Sequence, residues 1–351
     1  MKNICLVAGA RPNFIKLAPL IRAIQASQET QYKLVYAGRE DDPTLEPTLF
    51  EDLQMPLPDV YLGVDSTSLN EITSRVMAQF DAYLNEYPTD VVIVVDDLAS
   101  TMAAAIVTKK RGVKLAHLVA GTRSFDINMP KEINRLVIDS LSDYLFTAGV
   151  KSNSVAARSQ GDGSETYMVG NILMDTLRYN LNRLKRPQID IQEDNYFVLT
   201  INRKMLLADK EQLKSILEAL ITAAGDIPII APLRAEAHET ILNLNKTIRV
   251  VDPMSYLEFG WLTAHAKGII TDSGNVAEEA TFNNIPCITL NNYTEHQETV
   301  TIGSNELIGG NPQSLSEAVG KIIRKEWKSS SLPERWDGRT AERILKILLS
   351  D

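Results

Sequence analysis

Short apolar runs alternate with longer amphipathic segments along most of the chain. Such runs suit strands that are buried on both faces of a parallel sheet, and the segments between them predict helices. In the first half, the predicted strands cover residues 4–8, 32–37, 90–95, 113–119, 144–147 and 167–170. In the second half, they cover residues 196–201, 227–231, 248–251, 268–271 and 286–290.

The strand–helix alternation stops and restarts once. Residues 185–194 have the Pro and charge content of an interdomain linker. Two blocks of βα units predict an α/β protein with two Rossmann-like, doubly wound domains that face a cleft. We therefore assign residues 1–185 to a first domain and residues 186–337 to a second, nucleotide-binding domain. Residues 40–65 are acidic and contain Pro, and predict an irregular surface loop.

One stretch near the C-terminal end predicts a site for a diphosphate. The strand at 268–271 leads into Ser273, Gly274 and Asn275, which can form a turn because Gly and Asn tolerate positive φ. The helix that follows presents free backbone N–H groups and the positive end of its dipole. Glu279, one turn further, can accept hydrogen bonds from ribose hydroxyls. The alternative is that the acidic residues of this helix only complement its dipole.

A similar strand, turn and helix opens the chain. Arg11 follows the first strand, at the edge where ligands of doubly wound sheets bind. An Arg there can pair with a phosphate or can simply be solvated. Asp96 and Asp97 end another strand at the same edge.

The composition is that of a globular protein, since 44% of the 351 residues are hydrophobic and 23% are charged. The net charge of −9 argues against nucleic acid as a partner, because phosphate backbones need a basic face. Cys5 and Cys287 lie in apolar runs and predict buried thiols, not a disulfide or a metal site. No run reaches transmembrane length and the start is no signal peptide, so we expect a cytoplasmic protein without membrane insertion. We expect no metal or cofactor, and the first strand lacks the Gly-x-Gly-x-x-Gly motif of dehydrogenases.

Several segments, spread over nearly the whole chain, together resemble the bacterial UDP-N-acetylglucosamine 2-epimerase family. They are residues 9–16, 117–123, 130–135, 169–171, 252–253, 271–280, 294–295 and 301–309. The resemblance implies a fold of the glycosyltransferase-B (GT-B) type, in which the C-terminal helix at 338–351 crosses back to the first domain. It also implies a nucleotide-sugar cleft and usually a homodimer. Members of the family convert UDP-GlcNAc to UDP-ManNAc by eliminating UDP and adding it back, and a hydrolysing branch releases ManNAc and UDP.

The nucleotide part of the family's site is largely present in this sequence. The resemblance assigns nucleotide binding to Arg11, Arg203, Ser273, Gly274, Glu279 and His296. Asn275 stands where the family has a second Gly, and His296 where it has an Arg. The family's allosteric segment is also altered, because Arg39 and Glu40 follow Gly38 in place of Gln and His.

The catalytic part of the site is mostly replaced. The family's two Glu and two His positions are occupied here by Val119, Lys131, Asn202 and Arg234. Val cannot move a proton, Asn is no acid or base near neutral pH, and Arg stays charged. Asp97, Glu132 and Arg135 remain as residual catalytic candidates. Lys131, Asn202 and Arg234 would line a more cationic sugar pocket, unless Lys131 and Arg234 are ordinary surface charges.

Three functions are compatible with these replacements. The first is a protein that binds a UDP-sugar without ordinary 2-epimerisation, acting alone or as the partner of an active paralogue. The second is a working epimerase or hydrolase whose acid/base pair has moved to Asp96, Asp97 or Glu132. The third is a glycosyltransferase on the same fold.

Overall fold

The computed structural model describes residues 1–244 and 248–350. The chain divides into two units. The N-terminal unit comprises Met1–Tyr179 and Glu334–Asp351, and the C-terminal unit comprises Asn180–Pro333. Each unit is built on its own parallel sheet, as the alternating strands and helices of the sequence predict.

The N-terminal unit has a seven-stranded parallel sheet in the order β3-β2-β1-β4-β5-β6-β7. Its strands are β1 Lys2–Ala8, β2 Thr30–Tyr36, β3 Val60–Tyr61, β4 Val91–Val95, β5 Lys114–Ala120, β6 Tyr144–Thr147 and β7 Glu165–Met168. Its helices are α1 Arg11–Ser27, α2 Pro47–Leu53, α3 Leu69–Glu86, α4 Ala99–Lys110, α5 Pro130–Leu141, α6 Val150–Ser159, α7 Ile172–Asn180 and, at the C-terminal end, α15 Thr340–Ser350. Alternate residues of β1 and β4, such as Val7 and Val94, share a core with Phe80 of α3.

The C-terminal unit has a six-stranded parallel sheet in the order β10-β9-β8-β11-β12-β13. Its strands are β8 Phe197–Thr200, β9 Ile229–Pro232, β10 Arg249–Val251, β11 Gly268–Thr271, β12 Cys287–Thr289 and β13 Asn305–Leu307. Its helices are a 3₁₀ turn at Leu181–Arg183, then α8 Lys204–Ala208, α9 Lys210–Ala224, α10 Ala235–Leu244, α11 Tyr256–Ala264, α12 Gly274–Asn283, α13 Glu298–Thr301 and α14 Pro312–Ile323.

Strand order locates a candidate ligand crevice in each unit. The chain winds outward in one direction from β1 and in the other from β4, so these neighbours mark a topological switch point. In the C-terminal unit, β8 and β11 have the same relation. Ligands of doubly wound sheets bind outside the carboxyl ends of the strands at such points. Those ends carry the turns after β1, β4, β8 and β11.

The C-terminal helix α15 belongs to the N-terminal unit, which confirms the predicted crossing back of the chain. It packs on α1. Just before it, the indole Nε1 of Trp336, which is 1% exposed, donates a 3.0 Å hydrogen bond to the carbonyl of Ala148. Asp351, the last residue of the predicted helix, lies outside the described residues.

Some elements differ from the prediction. The predicted loop at 40–65 contains α2 and β3, which adds an edge strand to the sheet. β3 has only two residues and its sequence is too short to show a period. The prediction also lacks α6, α13, β13 and α14. In α6 only Ser152 and Ala156 are buried, so this helix shows little apolar periodicity. In the part of the chain that the structure describes, no helix is long and apolar enough to span a membrane.

Asp175 on α7 fixes the start of α15. Its carboxylate accepts hydrogen bonds from the backbone N–H of Thr340 at 3.1 Å and of Ala341 at 2.8 Å. Burial raises the pKa of Asp175 to about 6, although these two N–H groups act to lower it. Because the folded-state pKa lies above the ordinary value of 3.8, folding favours the protonated side chain.

Asp175 should therefore make stability depend on pH. Its contribution is fully present below its unfolded pKa and is lost as the pH rises through about 6. We expect the free energy of unfolding of the wild type to fall, relative to Asp175→Asn, by on the order of 2 kcal/mol between acidic and neutral pH. Urea unfolding over this pH range measures the difference. The exposed Asp162→Asn should follow the wild type, and parallel profiles for wild type and Asp175→Asn would contradict the assignment.

Candidate functional site

The turn after β1 is tied to the turn after β4 by one side chain. The amide oxygen of Asn13 accepts hydrogen bonds from the backbone N–H of Gly9 at 2.8 Å and of Ala10 at 3.3 Å. Its amide nitrogen donates to the carboxylate of Asp96 at 2.9 Å. Gly9 has no room for a side chain, because a Cβ would lie 2.1 Å from Oγ of Ser100. The two turns at the switch point are thus held close together.

Asp96 is held by a second partner on α1. The ammonium of Lys16 lies 2.5 Å from Oδ1 of Asp96, and the Lys16 side chain is 7% exposed. Arg11, at the first position of α1, is half-buried at the same edge of the sheet. The first turn of the sequence therefore supplies both the predicted Arg11 and, at Asn13 and Lys16, two residues that position Asp96.

Asp97 lies between two cations. The guanidinium of Arg135 contacts Oδ2 of Asp97 through Nε at 2.8 Å and Nη2 at 2.6 Å. The ammonium of Lys131 lies 3.3 Å from Oδ1. Burial alone would raise the pKa of Asp97, but the positive charges of Lys131 and Arg135 outweigh it and hold this pKa below the usual range. The carboxyl group is therefore ionised and engaged on both oxygens.

Glu132 is buried and also engaged. Its Oε2 accepts hydrogen bonds from the backbone N–H and the hydroxyl of Ser124 at 2.7 and 2.8 Å. Nη1 of Arg135 lies 3.3 Å from the same oxygen. Glu132 is 3% exposed. Arg135 thus joins the two carboxylates that the sequence left as catalytic candidates.

Val119 stands at a strained point of β5. Its φ is +73°, a conformation that is an outlier for a β-branched residue. The register of β5 with β6 shifts between Leu118 and Ala120, so Val119 occupies a bulge. Bulges near sites redirect a side chain. The backbone therefore has a special conformation at Val119, the position to which the resemblance assigns a catalytic Glu in the family.

The predicted diphosphate turn lies at the carboxyl end of β11, but its geometry differs from the expectation. Neither Gly274 nor Asn275 has positive φ, because α12 begins at Gly274 directly after Ser273. The expectation that Gly274 and Asn275 form the turn through positive φ is therefore wrong. A Cβ on Gly274 would meet no protein atom within 4 Å. This position on the first turn of α12 is therefore open, and the Ser273 side chain makes no capping hydrogen bond.

Asp272 joins this turn to the turn after β8. Its Oδ2 accepts hydrogen bonds from the backbone N–H of Asn202 at 2.8 Å and of Arg203 at 2.7 Å. Asn291 donates to the backbone carbonyl of Asp272 at 3.1 Å. Asp272 is 2% exposed. Asn202 and Arg203 are therefore positioned beside Ser273 by a buried carboxylate to which the sequence assigned no role.

The other predicted residues of the C-terminal unit lie in different settings. Glu279 is buried on α12 at 7% exposure. Nε2 of His296 lies 3.3 Å from Oε1 of Glu278, so this His faces the same helix. The guanidinium of Arg203 is exposed and lies 5.5 Å from the ring centre of Tyr293. Arg234 is exposed between β9 and α10, which is the position of an ordinary surface charge.

Sequence reasoning missed the side chains that hold the candidates in place. Asn13 and Lys16 were inside a recognised segment, and their spacing on α1 places them one turn apart. Asp139 lies four residues after Arg135, on the same face of α5. For Asp272, neither its position nor its charge indicates that two backbone N–H groups bind it. Among the described residues, no group of three or more His, Cys, Asp or Glu side chains could hold a metal ion.

Comparison with known proteins places the chain in a family. The family model for UDP-N-acetylglucosamine 2-epimerase matches residues 22–349. The UDP-N-acetylglucosamine 2-epimerase of Methanocaldococcus jannaschii is 33% identical, over 99% of this chain and 98% of the relative. The UDP-2,3-diacetamido-2,3-dideoxy-D-glucuronate 2-epimerase of Pseudomonas aeruginosa is also 33% identical, over 92% and 94%. The chain therefore belongs to the UDP-N-acetylglucosamine 2-epimerase family.

A solved structure supports the same assignment. The crystal structure of the M. jannaschii enzyme in complex with UDP-GlcNAc and UDP matches with a TM-score of 0.87 and 32% identity, over 100% of both chains. The fold class predicted from the sequence, two Rossmann-like α/β domains of the GT-B type, is confirmed by this match and by the two parallel sheets.

The strain at Val119 leads to a stability prediction. A residue other than Gly in the left-handed region costs about 1–3 kcal/mol, and Asn pays less than a β-branched residue. We expect Val119→Asn to raise the free energy of unfolding by about 1 kcal/mol. The matched control is Val60, a half-buried residue of β3 whose φ is not positive. Val60→Asn should lower the free energy of unfolding. Equal destabilisation of both variants in urea unfolding would contradict the claim of strain.

Proposed function

We propose that this family member binds a UDP-sugar but does not carry out ordinary 2-epimerisation. Support for the nucleotide part comes from the end of α12. Its open amino-terminal end, the absence of a Ser273 cap and the bare Gly274 leave room and free N–H groups for a diphosphate. Glu279 on the same helix would accept the ribose hydroxyls, and Arg11, Arg203 and His296 are the remaining nucleotide-binding candidates. Two relatives named above are enzymes of UDP-sugars by name.

The proposed lack of 2-epimerisation is supported by the ion pairs and hydrogen bonds that engage the remaining carboxylates. Asp97 is ionised between Arg135 and Lys131, and Asp96 is bound by Lys16 and Asn13. Glu132 is buried among N–H and O–H donors. A general acid must hold a proton and a general base must be free to take one. Asp97, whose pKa is lowered, does not hold a proton, Asp96 and Glu132 are engaged by cations and hydrogen-bond donors, and Val119 and Asn202 supply no replacement.

The alternatives need different experiments. An epimerase or hydrolase with a relocated acid/base pair would turn over UDP-GlcNAc alone, whereas a glycosyltransferase would release UDP only with an acceptor. The family resemblance also supports a homodimer or a complex with an active paralogue as the working form. We propose such an assembly, and size-exclusion chromatography with light scattering tests it for the purified chain.

The nucleotide site can be tested without disturbing the fold. Gly274→Ala adds a methyl group that meets no protein atom, and Ala is favoured over Gly in a helix by about 1 kcal/mol. We expect the variant to be at least as stable as the wild type but to bind UDP at least about tenfold more weakly, because the methyl group blocks close approach of the diphosphate. Asn283→Ala, at the other end of α12, is the control. Equal UDP affinity for all three proteins in calorimetry would show that UDP does not bind at this turn.

We expect the wild type not to interconvert UDP-GlcNAc and UDP-ManNAc detectably. Loss of one general acid or base typically costs about 10²–10⁴ in rate, and several positions are changed here. NMR of the sugar signals after prolonged incubation measures the conversion. Turnover that disappears in Asp97→Asn would establish the relocated base instead. If no turnover occurs, a quadruple variant tests whether only the acid/base residues are missing. It combines Val119→Glu, Lys131→Glu, Asn202→His and Arg234→His, and slow epimerisation by this variant would show that the rest of the site is intact.

The sugar should carry a negative charge. Arg135 is buried in its contacts with Asp97 and Glu132, whereas Lys131, although paired with Asp97, has an exposed side chain that a ligand can reach. The P. aeruginosa relative is an epimerase of a glucuronate derivative by name, at the same identity as the M. jannaschii enzyme. In competition binding, a UDP-uronate should displace a UDP probe at lower concentration than UDP-GlcNAc does. Lys131→Gln should reduce this preference, and equal affinities in the wild type would contradict it.

A further inference from the structure

A buried histidine of β5 faces hydrogen-bond acceptors with both ring nitrogens. Nδ1 of His117 lies 2.6 Å from Oδ1 of Asp139, which comes from α5. Nε2 lies 2.9 Å from the backbone carbonyl oxygen of Asp96, in the turn after β4. His117 is 1% exposed and Asp139 is fully buried. Solvent therefore offers neither nitrogen an alternative partner.

The nature of the two acceptors decides how many protons the ring carries. A carbonyl oxygen only accepts, so Nε2 must carry a hydrogen. The other oxygen of Asp139 is bound by Nη1 of Arg123 at 2.6 Å and accepts from the backbone N–H of Gly121 at 3.1 Å. Because a guanidinium and a backbone N–H already bind that oxygen, Asp139 is an ionised acceptor with no proton to give to the ring, so Nδ1 must carry a proton as well.

We infer that His117 is a buried imidazolium with a proton on each ring nitrogen, and that it acts as a positioning residue. Its Nε2–H holds the carbonyl of Asp96, a residue whose own φ is +59°. The next residue is Asp97, so the ring fixes the turn that aims both carboxylates. His117 is not a proton acceptor for a ligand, because it has no free lone pair.

The second proton also sets the charge of the site. The connected network contains the cations Lys16, His117, Arg123, Lys131 and Arg135 and the carboxylates Asp96, Asp97, Glu132 and Asp139. With His117 charged, these groups carry a net charge of +1, whereas a neutral His117 would leave them balanced. This consequence rests on the proposed function and favours an anionic ligand.

Histidine NMR tests the inference directly. The chain has only four His, so a long-range ¹H–¹⁵N spectrum of the free protein at neutral pH contains four ring patterns. Single variants His238→Gln, His265→Gln and His296→Gln identify the other three and leave His117 by elimination. We expect both ring nitrogens of His117 to be protonated. An unprotonated nitrogen would overturn the inference, whether or not UDP binds.

Two further spectra test why His117 is doubly protonated and whether it acts as a positioning residue. In Asp139→Asn, His117 should keep the proton on Nε2 and lose the one on Nδ1. Asp126 is an exposed carboxylate between β5 and α5, and Asp126→Asn should leave the protonation of the His117 ring unchanged. A ring that stays doubly protonated without Asp139 would contradict the stated cause. If Asp139→Asn does not fold, the wild-type spectrum alone decides. On addition of UDP-GlcNAc, a positioning residue keeps both protons, and loss of one would show that His117 exchanges protons.

Discussion

A carboxylate that is buried at the end of a parallel strand must be paired with a cation or hydrogen-bonded, and the N-terminal unit is arranged around this requirement. Asp97 lies between Arg135 and Lys131, and Asp96 between Lys16 and Asn13. These partners come from α1 and α5, so the charges hold helices to the edge of the sheet. Removing both partners of Asp97 would leave a buried charge unpaired, which is more costly than losing the attraction of the pairs.

The same requirement explains the setting of Lys131. Its ammonium lies 3.3 Å from Asp97 and adds a second cation to a carboxylate that Arg135 already holds. A more strongly paired Asp97 is a weaker base, because its pKa is lowered. At Val119, β5 combines a bulge with a left-handed backbone. These observations support the proposal that proton transfer is lost while the architecture is retained.

The sequence predicted the strands and the two blocks of βα units well, because parallel strands buried on both faces form apolar runs. It also placed Asp97 just after a strand and Glu132 in the first turn of a helix, whereas Arg11, predicted in a turn, is the first residue of α1. It could not predict the partners of Asp97, Asp175 or Asp272, because these pairings join residues far apart in the chain. The tolerance of Gly274 for positive φ is not used, since its φ is not positive, and the structure instead shows open space where its Cβ would lie.

We propose that the scaffold binds a nucleotide sugar without moving the proton at C2. Incubation of UDP-GlcNAc with the protein in D₂O, followed by NMR of the recovered sugar, tests it more directly than product formation, because exchange at C2 is visible even when no product leaves. We expect broadening of the UDP-GlcNAc signals that shows binding, and no deuterium at C2 after long incubation. Deuterium at C2 that depends on the protein and is absent with Asp97→Asn would contradict the account.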